Sequence, residues 1–95
     1  MSAAPRQIGN AVGRILHSLG LSRKIEQYKA VDLWPAIVGE RLARVTTAER
    51  VTDGKLVVHV ANAAWRNELT FLKQDILKKI AAATGSESIT DIIFR

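Results

Sequence analysis

Residues 53–66, Asp-Gly-Lys-Leu-Val-Val-His-Val-Ala-Asn-Ala-Ala-Trp-Arg, leave a folding chain few options. Asp53-Gly54 suits a two-residue hairpin turn, because glycine accepts positive φ without a Cβ clash and aspartate tolerates it. Leu56, Val58 and Val60 then alternate with Lys55, Val57 and His59. This period-two pattern, rich in β-branched residues, predicts a strand over 55–61. Asn62 is placed to accept a hydrogen bond from an unpaired N–H at a helix start, and Trp65 opens an apolar stripe at helical spacing. Turn, strand and helix follow one another with no linker between them.

The remaining elements are read outward from this corner. Residues 1–6 are small, polar and proline-containing, and are expected to form a flexible N-terminus ahead of a single domain over 7–95. Ile8, Val12, Ile15, Leu16 and Leu19 predict a helix over 7–19, stopped by Gly20. Ile25, Tyr28, Val31, Trp34, Val38, Leu42 and Val45 lie along one face of a second helix, expected over 23–43 with Ser22 as its N-cap. Pro35 lies inside that pattern and its nitrogen cannot donate, so a bend is expected near Trp34-Pro35. Threonine and valine content predicts a strand over 46–52. A long helix is expected over 63–84, stopped by Gly85, and a last strand over 88–94. The order α-α-β-β-α-β describes a two-layer α+β domain, with a small three-stranded sheet packed under helices.

Charge and composition narrow the function classes. Fourteen Lys and Arg against nine acids give a net charge of +5 and favour polyanionic partners. The absence of cysteine removes disulfides, thiolate metal sites and thiol catalysis. No apolar run approaches the length of a membrane span, and the N-terminus lacks a signal peptide's apolar core, so a cytoplasmic location is expected. There is no phosphate-binding glycine loop, dinucleotide fingerprint, His-Glu-x-x-His or nucleophile elbow. His17 and His59 stand alone rather than in a ligand cluster. A binding module without cofactor or metal fits this inventory better than an enzyme.

The faces of the elements separate core from candidate site. Trp65, Leu69, Leu72, Ile76, Ile80 and Ala83 form a stripe on the long helix that should cover the sheet. Trp65 has the flat ring of a base-stacking residue, but its place in the stripe favours a core role, and Trp34 is read the same way. Phe71 falls with Asn67, Gln74 and Lys78, away from the stripe. Packing under the first helix, near Leu77, is favoured for it over service as a partner-binding anchor. Arg66, Thr70 and Lys73 align on one shoulder of the long helix, where cations and a hydroxyl could follow a phosphate backbone. On the sheet, Leu56, Val58 and Val60 should face the helices. Val57 and His59 should face away, beside Ile93.

Several of these residues carry a resemblance to a known family. Trp34-Pro35-Ala36-Ile37-Val38-Gly39 is followed by Leu42-Ala43, by the 53–60 hairpin and strand, and by Ala64-Trp65-Arg66-Asn67-Glu68-Leu69. Ile-Thr-Asp-Ile-Ile-Phe over 89–94 closes the series. Their order and spacing over residues 8–95 resemble the bacterial DciA family. The resemblance implies a fold similar to a K-homology domain, a role in loading or operating the replicative DNA helicase, and affinity for single-stranded or forked DNA. Together with the charge, it selects Arg41, Arg44, Lys55, Arg66, Lys73, Lys78 and Lys79 as candidate nucleic-acid contacts. Two alternatives stand beside it: a protein–protein adaptor using Phe71 and an open sheet face, and an RNA-binding module suggested by the K-homology-like order.

Overall fold

The computed structural model describes residues 14–15 and 21–95. Arg14 and Ile15 are helical. The rest of the helix expected over 7–19, with His17, lies outside the described residues. From there the elements are α1 (Leu21–Val38), α2 (Glu40–Ala43), β1 (Thr46–Thr52), β2 (Lys55–Val60), α3 (Ala63–Thr84) and β3 (Asp91–Phe94). With α1 and α2 as two pieces of the one helix expected over 23–43 and the helical Arg14 and Ile15 ahead of them, the element order and the two-layer α+β architecture match the sequence expectation.

The corner that organises the chain forms as its residues dictate. Asp53 and Gly54 both take positive φ, 52° and 75°, the pair of values that a two-residue turn needs to match strand twist. β1 therefore folds back antiparallel onto β2, with Thr52 opposite Lys55 and Thr46 opposite Val60. The side chain of Asn62 accepts the backbone N–H of Trp65 at 2.9 Å and starts α3. Gly85 ends α3 in the left-handed conformation, φ 69°. The helix is the crossover that returns β3 parallel to β2, so the sheet order is β1-β2-β3.

The core lies between this sheet and the helices. Leu56, Val58 and Val60 are buried against Trp34, Leu69, Ile76, Ile80, Ile89 and Ile92, as the alternation predicted. Val57 departs from expectation. It points to the opposite face yet is only 3% exposed, because β2 is the central strand and Val57 lies between Arg50 of β1 and Ile93 of β3. On α3, Leu69, Ile76, Ile80 and Thr84 are buried, Trp65 and Leu72 are half-buried, and Ala83 is exposed. The buried stripe is thus rotated toward Thr84, whose hydroxyl donates to the Ile80 carbonyl. On α1, Ile25 and Tyr28 are exposed rather than core, and Ala30 is fully buried.

The break in the expected 23–43 helix falls at Gly39, not at Pro35. Pro35 stays inside α1, and its carbonyl accepts the Gly39 N–H at 3.0 Å. Gly39 adopts φ 88° and ψ 165°, a region open in practice only to glycine, and no helix can continue through it. Nor is Ser22 the N-cap, since α1 already begins at Leu21. The last strand is shorter than the pattern implied, beginning at Asp91 rather than at 88, and β2 ends at Val60.

Two sets of polar contacts fix the layers. The Trp34 indole N–H, buried at 1% exposure, donates to the Thr46 hydroxyl at 2.9 Å, and that hydroxyl donates to the Leu42 carbonyl at 2.6 Å. One relay thereby joins α1, α2 and the start of β1. At the other edge, Asp91 Oδ1 accepts the Ile92 N–H at 2.8 Å and meets Lys73 Nζ at 3.1 Å, tying β3 to α3. The Ile92 hydrogen bond first, then Lys73, with Lys55 adding its charge, hold the Asp91 carboxyl below its ordinary pKa.

Thr46→Val should leave the buried indole N–H without an acceptor and destabilise the fold by about 1–3 kcal/mol, measured by urea unfolding. An unchanged midpoint would show that the relay carries no weight. The Asp91 contribution is present above the ordinary carboxylate range and is lost as pH falls through the lowered folded-state value. Asp91→Asn should therefore cost stability at neutral pH, by less than about 1 kcal/mol for so exposed a pair. Thermal unfolding scans of variant and parent should converge toward pH 2; a gap that persists in acid would contradict this.

Candidate nucleic-acid interface

The candidate cations are distributed by α3 and by the Gly39 break, and they do not form one continuous track. Lys73 Nζ reaches Asp91 of β3, so its flank of α3 faces the β3 edge. Arg66, seven residues earlier on the same helix, shares that flank. Lys55, at the turn end of β2, stands opposite Asp91 in the sheet register. Lys73 and Lys55 therefore both approach Asp91 at the start of β3, while Arg66 lies about two turns away along the same flank of α3. Lys73 is already engaged by Asp91, whereas Arg66 and Lys55 have no carboxylate within 4.0 Å among the described residues.

The other candidates lie elsewhere. Lys78 is exposed on the outward face of α3. Lys79 borders a shallow hollow with Leu33, Ala36 and Ile37 of α1, on the opposite flank from Arg66. Arg41 and Arg44 are both exposed near the end of the helical segment, but their environments differ. The Arg44 guanidinium is paired with Glu40 at 2.6 Å. Arg41 has no such carboxylate among the described residues, and its guanidinium carbon sits 5.4 Å from the centroid of the Trp65 ring.

Trp65 is therefore not wholly a core residue. It packs against the core cluster on one side. On the other it lines an open hollow of about 480 Å³ together with Val38, Arg41, Leu42, Ala64, Glu68 and Leu72. Phe71, expected to pack under the first helix, most of which lies outside the described residues, is 79% exposed. Its position on α3 opposite the buried stripe explains this, since the sheet lies beneath the other face.

The outer sheet face carries cations that strand alternation did not reveal. The β1–β2 register shifts between Ala48 and Arg50, a β-bulge that adds one residue to β1. Strict alternation from Thr46 and Ala48 would turn Arg50 into the core. The bulge places it opposite Val57 on the outer face and puts Val51 opposite Leu56 on the inner one. Arg95 reaches across to Glu49 at 3.0 Å on this face. A charged residue at a predicted inward position was the signal available in the sequence.

Among the described residues, no group of three or more His, Asp or Glu is placed to hold a metal ion. No described helix is long and apolar enough to cross a membrane.

Comparison with known proteins supplies the relationship. A family model described as "Dna[CI] antecedent, DciA" matches residues 7–94. UPF0232 proteins of Mycobacterium tuberculosis and Mycolicibacterium smegmatis are 27% identical over 88 residues. The match covers 93% of this chain and 47% and 45% of those relatives. A UPF0232 protein of Rhodococcus jostii is 32% identical over 81 residues, covering 85% of this chain and 43% of the relative. The chain thus spans about half the length of the curated relatives it matches. The family match extends over nearly all of the 95 residues, and the chain belongs to the DciA family.

Proposed function

We propose that this chain is a non-enzymatic accessory module that binds single-stranded or forked DNA in the cytoplasm and helps load or operate the replicative DNA helicase. Membership of the DciA family is the observation that carries this reading. The net charge of +5 supports it, since cations facing phosphates release counterions and give affinity without sequence preference. Within this reading, Arg66 on the Lys73 flank of α3, Lys55 near the start of β3 and Lys78 on the outward face of α3 supply the phosphate contacts. Lys79 and Arg41 extend them to the opposite flank. Lys73 and Arg44 contribute less, because each already has a carboxylate partner.

A second reading, a protein–protein adaptor, is favoured by one observation. Phe71 exposes 79% of its surface on the outward face of α3, and an exposed aromatic of this kind is a frequent interface anchor.

Arg66→Glu with Lys78→Glu tests the first reading, because neither residue has an ion-pair partner among the described residues. Single-strand affinity should fall at least tenfold at low salt. The slope of log affinity against log salt should flatten by about 1.4 for two lost contacts. Unchanged affinity and slope would remove these cations from the interface. Phe71→Ala should leave that slope intact; loss of helicase capture by this variant alone would favour the adaptor.

A further inference from the structure

The Trp65 hollow has a chemistry that phosphate contacts do not use. It is lined by Val38, Leu42, Ala64, Leu72 and Trp65, with Glu68 and with Arg41, whose guanidinium lies over the Trp65 ring. A buried aromatic that only filled the core would be covered on both sides, as Trp34 is at 1% exposure. Trp65 instead stays half-buried at the hollow, its ring beneath a guanidinium that has no carboxylate partner among the described residues.

We infer that this hollow takes one unpaired nucleobase of a bound single strand, stacked on Trp65 and Arg41. The inference rests on the nucleic-acid reading above and names the part of the strand that this site engages. Three features select a base over other occupants. An aromatic ring and a planar guanidinium offer π surfaces to any base without discriminating sequence. The apolar walls fit a neutral ring, while the Glu68 carboxylate repels a phosphate from the hollow and leaves Arg41 as the cation for the backbone outside it. A volume of about 480 Å³ admits a single base ring. Duplex DNA keeps its bases stacked and cannot fill the site, so the hollow gives the module a preference for unpaired strands.

The geometry that presents the site depends on Gly39. Its φ of 88° ends α1 and turns α2, and α2 carries Arg41 across to α3. Leu42 lines the hollow with its side chain while its carbonyl accepts the Thr46 hydroxyl at 2.6 Å. The hollow is therefore held from the core side.

The test compares three dodecamers on the same protein at low salt: oligo-dC, oligo-dT, and an abasic strand carrying the same phosphates. Intrinsic tryptophan emission and anisotropy of end-labelled strands are read together. The base-bearing strands should quench emission and bind at least threefold more tightly than the abasic one, which should bind without quenching. Trp65→Leu, checked for folding by circular dichroism, should bring the base-to-abasic affinity ratio close to one while leaving abasic binding unchanged. Should that variant unfold, Arg41→Ala, at an exposed position, should reduce the same ratio. Equal binding and equal quenching by all three strands would overturn the inference and leave the phosphate reading standing. So would emission that responds only when helicase is added, which would assign the hollow to a protein segment. Binding by none of the three would overturn both.

Discussion

Trp34 can be buried to 1% exposure only if its indole N–H finds an acceptor, and the acceptor it finds ties three elements together. The Thr46 hydroxyl takes that hydrogen and passes its own to the Leu42 carbonyl. Both donors are satisfied inside the protein, so burial of the largest core side chain carries no unpaired polar group. The consequences run outward. Thr46 begins β1 and so sets the register against β2 from Val60 to Lys55. Leu42 is held at the end of α2, directly after the Gly39 break, which fixes Arg41 above Trp65. The core and the candidate base site share one anchor.

Electrostatics act on this frame locally. A net charge of +5 does not describe a uniform field, because, among the described residues, Arg44, Arg50, Lys73 and Arg95 are tied to carboxylates. Arg44 pairs with Glu40, Lys73 with Asp91, and Arg50 and Arg95 both with Glu49. Arg66, Lys78 and Lys79, which have no such partner among the described residues, stand on different flanks of α3, and beyond a Debye length of about 8 Å at physiological salt they act separately. A strand that gains from several of them must wrap α3 or pass over its N-terminal end, where Arg66 and the Trp65–Arg41 pair lie on either side. This favours a flexible single strand over a stiff duplex.

Much of the fold was legible because its signals are local. The Asp53-Gly54 turn, the Asn62 cap and the Gly85 stop each act within a few residues, so the bounds of β1 and α3 follow directly from sequence. Where two breakers compete, local reading favours the wrong one. Pro35 removes one donor but keeps a helical φ, while Gly39 leaves helical space altogether. Burial of Val57 depends on strand order, which no alternation pattern encodes, and the outward turn of Arg50 depends on a bulge that alternation marks only as a charge out of place. The site was legible as residue types only. The sequence marks Arg66 and Lys73 as aligned, but nothing in it says that Asp91 will engage Lys73, or that Trp65 will be half-buried beneath Arg41.

The most direct test of the account is binding of labelled single-stranded and forked DNA across a salt series, with and without the replicative helicase of the source organism. Steep salt dependence, preference for strands with unpaired bases, and tighter binding when helicase is present are the predicted results. Absence of DNA binding in both arms, or equal affinity for fully paired duplex, would contradict it.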